Sequence, residues 1–178
     1  LGYNPKLELT CTNGELTVKD VVTGKTETSH QAHPAAYIKE LMKKYTSPKL
    51  EGFPSFTGGL VGYFSYDYIK YSEPTLNLDA KDEERFKDVD LMLFDKVIAF
   101  DNYRQKIVLI VNIKTDALEE NYNRALLELE SMKQVILKMQ MIRNAYVRHI
   151  HMNHFIWHMK QRTTEKSSIM MLLDSITL

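Results

Sequence analysis

Two β-type apolar runs, Leu91–Phe100 and Lys106–Ile113, constrain this chain more than any other feature. The second contains Ile107, Val108, Leu109, Ile110 and Val111 without a polar break. Such a run buries both faces of a strand, so the pattern predicts central strands covered on both sides. The Asp101–Gln105 link between the runs is short enough for a hairpin loop. Upstream, Asn13-Gly14 separates Lys6–Thr12 from Glu15–Val22. Both residues tolerate positive φ, which is what a two-residue hairpin turn needs. Leu7, Leu9 and Cys11 alternate with polar residues, as do Leu16 and Val18, so this hairpin is expected to bury one face. Val21–Lys25 then turns back toward a polar stretch.

Two segments read as helices. Tyr37, Ile38, Leu41, Met42 and Tyr45 recur at three-and-four spacing opposite Lys39, Lys43 and Lys44, with Pro34 near the first turn and Ser47-Pro48 as the stop. Asp116 with Glu119 resembles a capping box before the stripe Leu118, Tyr122, Ala125, Leu129, Met132, Ile136 and Met139. Three heptads beside a sheet predict a helix packed on that sheet rather than a coiled coil. The fold class expected is α/β of the α+β type, with mostly antiparallel sheets and packed helices.

Lysine plus arginine and aspartate plus glutamate both number 23, so overall charge gives no reason to expect nucleic acid or an anionic membrane as partner. The balance hides a change of character. Residues 1–130 carry a net charge of −5 and residues 131–178 a net of +5. All 7 glycines fall by Gly62, whereas seven of the 9 methionines and four of the 6 histidines lie beyond residue 130. Domain boundaries are therefore placed at 1–138 and 139–178, the second an atypical basic tail, helical or poorly ordered. The longest purely apolar runs, Ile107–Val111 and Ile169–Leu173, are far too short to span a membrane. Cys11 is the only cysteine, so no intrachain disulfide forms. With no signal-peptide pattern, the expected location is the cytoplasm.

No residue constellation carries chemistry by itself. Gly58-Gly59-x-x-Gly62 lacks the Lys-Ser/Thr of a phosphate loop and runs into Tyr63-Phe64-Ser65-Tyr66, so its glycines are expected to allow close backbone approach in a sheet. His149, His151, His154 and His158 have spacing suited to metal, but few carboxylates and no thiol lie near them, and no metal site is assigned. Phe155, Trp157, Lys160 and Arg162 make a weak basic-aromatic surface. Asp82, Glu83 and Glu84, in an acidic connector from Asp79 to Asp90, read as a solvated face. No catalytic, cofactor-binding or metal residue follows from spacing.

A resemblance carries further. Phe56-Thr57-Gly58-Gly59-Leu60-Val61-Gly62-Tyr63-Phe64-Ser65-Tyr66-Asp67, continued by Tyr68 to Pro74, closely resembles the N-terminal region of anthranilate synthase component I. Asp88-Val89-Asp90-Leu91-Met92-Leu93-Phe94-Asp95 resembles the same family, as does Leu1-Gly2-Tyr3-Asn4-Pro5. The similarity covers about residues 1–135. It implies an α/β sandwich and an enzyme that converts chorismate to anthranilate and pyruvate in tryptophan biosynthesis. It also implies Mg²⁺ in the full-length enzyme, a glutamine amidotransferase subunit as partner, and feedback by tryptophan.

The family's chorismate and Mg²⁺ residues belong to a C-terminal domain with no counterpart here. Its Leu-Leu-Glu-Ser segment for tryptophan would precede Leu1. The expectation is therefore a fragment, inactive alone, with no cofactor in this chain and with Gly58, Gly59, Gly62, Tyr63 and Asp67 in a structural role. The tail is expected to be the product of a shifted reading frame or a truncated gene. Two other readings are an aminodeoxychorismate synthase component I fragment, disfavoured by Thr57, Ser65 and Tyr68-Ile69-Lys70-Tyr71, and a non-catalytic amino-acid-sensing or interaction module.

Overall fold

The computed structural model describes residues 1–2, 4–73, 75–76, 78, 81, 83–143 and 169–177. The architecture is mixed α/β with antiparallel sheets and packed helices, in two compact units. One unit comprises residues 4–44 and 59–94, the other residues 1–3, 45–58 and 95–178.

The first unit holds β1 (Leu7–Thr12), β2 (Glu15–Asp20), β3 (Thr26–His30), α1 (Pro34–Lys43), β4 (Gly59–Phe64), a 3₁₀ helix (Tyr66–Tyr71) and β5 (Val89–Phe94). Its five strands are ordered β3-β2-β1-β5-β4. Asn13 and Gly14 have φ of 50° and 82°, so they close the β1–β2 hairpin with both central residues left-handed. That turn sets the register Thr12↔Glu15 and Cys11↔Leu16. Leu7, Leu9 and Cys11 are buried and alternate with outward residues. Pro34 opens α1, whose Tyr37, Ile38 and Leu41 cover Leu9, Cys11, Leu16, Val89 and Leu91. The polar stretch after Lys25 is strand β3, an edge strand whose Thr28 hydroxyl meets Thr17 at 3.1 Å. Its mostly exposed side chains give no period-two signal.

The second unit holds β6 (Lys96–Asp101), β7 (Lys106–Lys114), α2 (Leu118–Arg143) and β8 (Ile169–Thr177), with strand order β6-β7-β8. Strand β7 is the doubly covered central strand its apolarity requires. Ile107, Leu109, Val111 and Ile113 pack with Ala125, Leu129 and Met132 of α2, while Val108 and Ile110 pack with Val97 and Leu50. The stripe of α2 thus packs on a sheet. Asp116 Oδ1 accepts from the Ala117 N–H and the Asn121 amide, so Asn121 helps hold the turn into the helix.

Three features differ from expectation. The run Leu91–Phe100 is two strands in different sheets, β5 and β6, not one. Asp95 interrupts it, and the Asp95 carbonyl accepts from the backbone N–H (2.8 Å) and side-chain Nδ2 (3.1 Å) of Asn112. Strand β5 also buries one face only: Val89, Leu91 and Leu93 are inside, and Met92 is exposed. Finally, the tail supplies a strand. Ile169–Thr177 pairs with β7 from Lys114↔Ile169 to Lys106↔Thr177. A strand buried on both faces needs a neighbour on each edge, and the apolar run at Ile169–Leu173 provides the second one.

Gly58-Gly59-x-x-Gly62 enters and forms strand β4, with Gly62 opposite Leu91 of β5. A Cβ at Gly62 would collide with the Asp90 carbonyl oxygen and lie 2.8 Å from Leu91 Cα. Backbone, not a flexible side chain, occupies that space. Gly62→Ala is therefore expected to push β4 off β5 and cost about 3 kcal/mol or more of stability, as overpacking against fixed atoms does. The urea midpoint should fall accordingly, and an unchanged midpoint would refute the close approach.

Candidate functional site

In the unit formed by residues 4–44 and 59–94, three segments remote in sequence converge on one carboxylate. These are the Asn13-Gly14 turn, the 3₁₀ helix, and Asp88 at the entry to β5. The backbone of Asp88 is fixed first: its N–H donates to the Cys11 carbonyl at 2.8 Å, and its carbonyl accepts from the Ser65 N–H at 2.9 Å. This places the side chain, 5% exposed, against the hairpin turn. Oδ2 accepts from the Asn13 N–H at 2.6 Å and from the Tyr71 hydroxyl at 2.7 Å. Oδ1 accepts from Lys70 Nζ at 2.8 Å. Lys70 also donates to Asn13 Oδ1 at 2.9 Å. The Tyr71 oxygen in turn accepts from the Gly14 N–H at 2.7 Å and lies 3.7 Å from Cys11 Sγ.

The 3₁₀ helix makes this geometry available. Side chains three apart lie on one side of such a helix, so Tyr68 and Tyr71 point together into the unit. Their rings tilt against each other at 5.2 Å, and Tyr68 meets Phe64 edge-on at 4.8 Å. Lys70, next to Tyr71, reaches around to the same carboxylate.

Burial pushes the Asp88 carboxyl up, but the bonds from Lys70, Tyr71 and Asn13 outweigh it and hold the group below its ordinary value. Burial pushes the Tyr71 phenol up as well, well above its ordinary value, and donation to Asp88 adds to the shift. Burial likewise raises Tyr68. Asp88 is thus an anion with its acceptor capacity engaged by three donors, and Tyr71 keeps its proton. Neither is placed to move a proton to or from a reactant. The cluster is a clamp between segments.

A surface cavity of about 690 Å³ opens beside the clamp. Lys70 and Asp88 form one wall, and Tyr63, Ser65, Asp67 and Phe86 line others. Ser65 Oγ is buried and makes no hydrogen bond among the described residues. The lining pairs aromatic surface with both signs of charge but brings together no nucleophile and base.

The residues singled out from sequence fare unevenly. Gly62 is the close backbone approach just described. Tyr63 and Asp67 line the cavity, and Cys11 is buried beside Tyr71. Glu83 and Glu84 are exposed, as a solvated face requires, and Asp82 lies outside the described residues. His149, His151, His154 and His158 lie outside them too, as do Phe155, Trp157, Lys160 and Arg162. Asp88, which ends the acidic connector and opens the Asp88–Asp95 motif, is the most engaged carboxylate among the described residues of this unit. The available signal was its place between a charged stretch and an alternating strand, where a carboxylate abutting a core needs partners. Among the described residues no group of three His, Cys, Asp or Glu side chains is placed to hold a metal ion, and no helix is long and apolar enough to cross a membrane.

Asp88→Asn keeps the shape but removes the charge that Lys70 answers, and should cost about 2–3 kcal/mol. The folded carboxyl titrates below its ordinary value of 3.8, so its contribution is complete at neutral pH. That contribution fades as pH falls through the ordinary value and is gone below the folded one. Thermal melts on the acid side should therefore drop less steeply for Asp88→Asn than for the wild type, and parallel curves would contradict the clamp.

A family model described as chorismate binding enzyme matches residues 2–167. Anthranilate synthase component 1 of Acinetobacter calcoaceticus is 35% identical over 140 residues, which is 76% of this chain and 28% of that protein. The protein of the same name from Pseudomonas aeruginosa is 40% identical over 110 residues, covering 61% of this chain and 22% of its own length. The one from Saccharomyces cerevisiae is 38% identical over 110 residues, covering 60% and 22%. The chain thus spans about a quarter of the length of these curated relatives. These matches bear out the resemblance first seen at Phe56–Asp67, and the chain belongs to the chorismate binding enzyme family, where it is similar to anthranilate synthase component 1.

Proposed function

We propose that this chain is the part of an anthranilate synthase component I that carries the Phe56–Asp67 and Asp88–Asp95 motifs, serving the conversion of chorismate to anthranilate and pyruvate. The observation that carries this reading is the convergence of the two motifs: they become neighbouring strands, β4 and β5, and the Ser65 N–H of one bonds to the Asp88 carbonyl of the other. The names of the relatives that share the sequence favour the anthranilate branch over the aminodeoxychorismate one.

By the same resemblance the working enzyme takes its ammonia from a glutamine amidotransferase subunit and responds to tryptophan. Mg²⁺, which the resemblance implies for the full-length enzyme, does not fit the described residues. Asp88, the most engaged carboxylate of its unit, is neutralised by a lysine and has its oxygens taken. The role of this chain is to supply a rigid sheet on which the chorismate-handling part is built, and alone it is inactive.

Two assays test the reading. The purified chain with chorismate, Mg²⁺ and an ammonium salt should form no anthranilate by fluorescence, and turnover would disprove the inactivity. In a chimera, this chain's residues replace the 140 aligned residues of the Acinetobacter calcoaceticus relative. The chimera should form anthranilate, and a folded but inactive chimera would overturn the assignment.

A further inference from the structure

We propose that Asn13 is a latent deamidation site, kept intact in the folded chain by the hydrogen bond from the Gly14 N–H to Tyr71. An asparagine followed by glycine is the pair most open to this chemistry, because no Cβ on the next residue shields its backbone nitrogen. The Gly14 nitrogen loses its proton and attacks Asn13 Cγ, the Cγ–Nδ2 bond breaks, and ammonia leaves with a proton from solvent. Water then opens the resulting five-membered imide at one of its two carbonyls. The products are an aspartyl or an isoaspartyl residue, and the net change is one water gained and one ammonia lost. No other reactant is required.

Asn13 is exposed, so water reaches the amide, and the sequence around it offers no steric protection. What stands in the way is geometry. The Gly14 N–H donates to the Tyr71 oxygen at 2.7 Å, which holds its proton and directs the nitrogen away from Cγ. The Tyr71 hydroxyl is itself committed to Asp88 at 2.7 Å, so neither group acts as a base toward Gly14. The Asn13 N–H, bonded to Asp88 at 2.6 Å, fixes the turn from the other side, and its left-handed φ of 50° belongs to that turn. Lys70 acts differently: it grips Asn13 Oδ1 at 2.9 Å and leaves the attacking nitrogen untouched.

The consequence of modification follows from the same contacts. An aspartate at this position brings a second carboxylate to a lysine already paired with Asp88. An isoaspartyl link adds a methylene to the main chain in a two-residue turn, where it breaks the Thr12↔Glu15 register. Either product loosens the clamp, so opening of this hairpin would be recorded as permanent covalent damage.

The test incubates the full chain at mildly alkaline pH and follows the peptide containing Asn13 by mass spectrometry and isoaspartyl detection. The folded wild type should convert at least roughly tenfold more slowly than the same chain unfolded in urea, a factor on the scale of one hydrogen bond. Tyr71→Phe, checked as folded by circular dichroism, should convert roughly tenfold faster than the folded wild type. Lys70→Ala, which takes one partner from Asp88 but leaves the bond from the Gly14 N–H to Tyr71, should be accelerated less than Tyr71→Phe. Equal rates for folded and unfolded wild type would overturn the proposal, and this comparison stands even where Tyr71→Phe fails to fold. So would a folded Tyr71→Phe as slow as the wild type, or a Lys70→Ala as fast as Tyr71→Phe.

Discussion

A single carboxylate, Asp88, holds together parts of the chain that local propensity leaves independent. The β1–β2 hairpin forms from its own turn chemistry, and the 3₁₀ helix from its own short-range bonds. Neither dictates where the other goes. Asp88 receives the Asn13 N–H from the first and the Tyr71 hydroxyl and Lys70 ammonium from the second, while its own backbone continues into β5. A carboxylate on a residue only 4% exposed is costly unless its lone pairs are satisfied, and here the three donors come from two segments, the hairpin turn and the 3₁₀ helix. Removing one partner therefore strands the others, which makes the cluster cooperative.

The rest of the unit is arranged around that point. Strand β4 lies on β5 because Gly62 lets two backbones meet where a side chain has no room. The apolar core of the unit adjoins it, with α1, Tyr68 and Tyr71 packed against Leu9, Cys11, Leu16, Val89 and Leu91. The other unit solves a different problem. Its β7 is apolar throughout, and burial on both faces is met by α2 on one side and by Leu50 and Val97 on the other. One unit is specified by a polar hub, the other by apolar volume.

What could be read from sequence follows that division. Periodicity located β1, β2, α1 and α2, because each buries a stripe that repeats at 2 or 3.6 residues, and an unbroken apolar run located β7. The Asn-Gly turn was legible because left-handed φ at both positions restricts the choice of residue. Strand β3 was hidden because its stabilising contacts, such as Thr17 with Thr28, are polar and cross-strand. The break at Asp95 was hidden because it is enforced from a distance by Asn112, and β8 because its partner lies some sixty residues back along the chain. The clamp was only partly visible. Its tyrosine, lysine and aspartate all stand inside recognised motifs, but nothing local joins Asp88 to Asn13 and Tyr71 until the fold brings them together.

The most direct measurement is a double-mutant cycle on Tyr71 and Asp88, with stabilities from urea unfolding of the wild type, Tyr71→Phe, Asp88→Asn and the double variant. A cooperative clamp predicts a coupling of about 1–3 kcal/mol, since each substitution removes part of what the other relies on. Additive losses, with a coupling within about 0.5 kcal/mol of zero, would show that the two groups act independently and that Asp88 is not the hub of this unit.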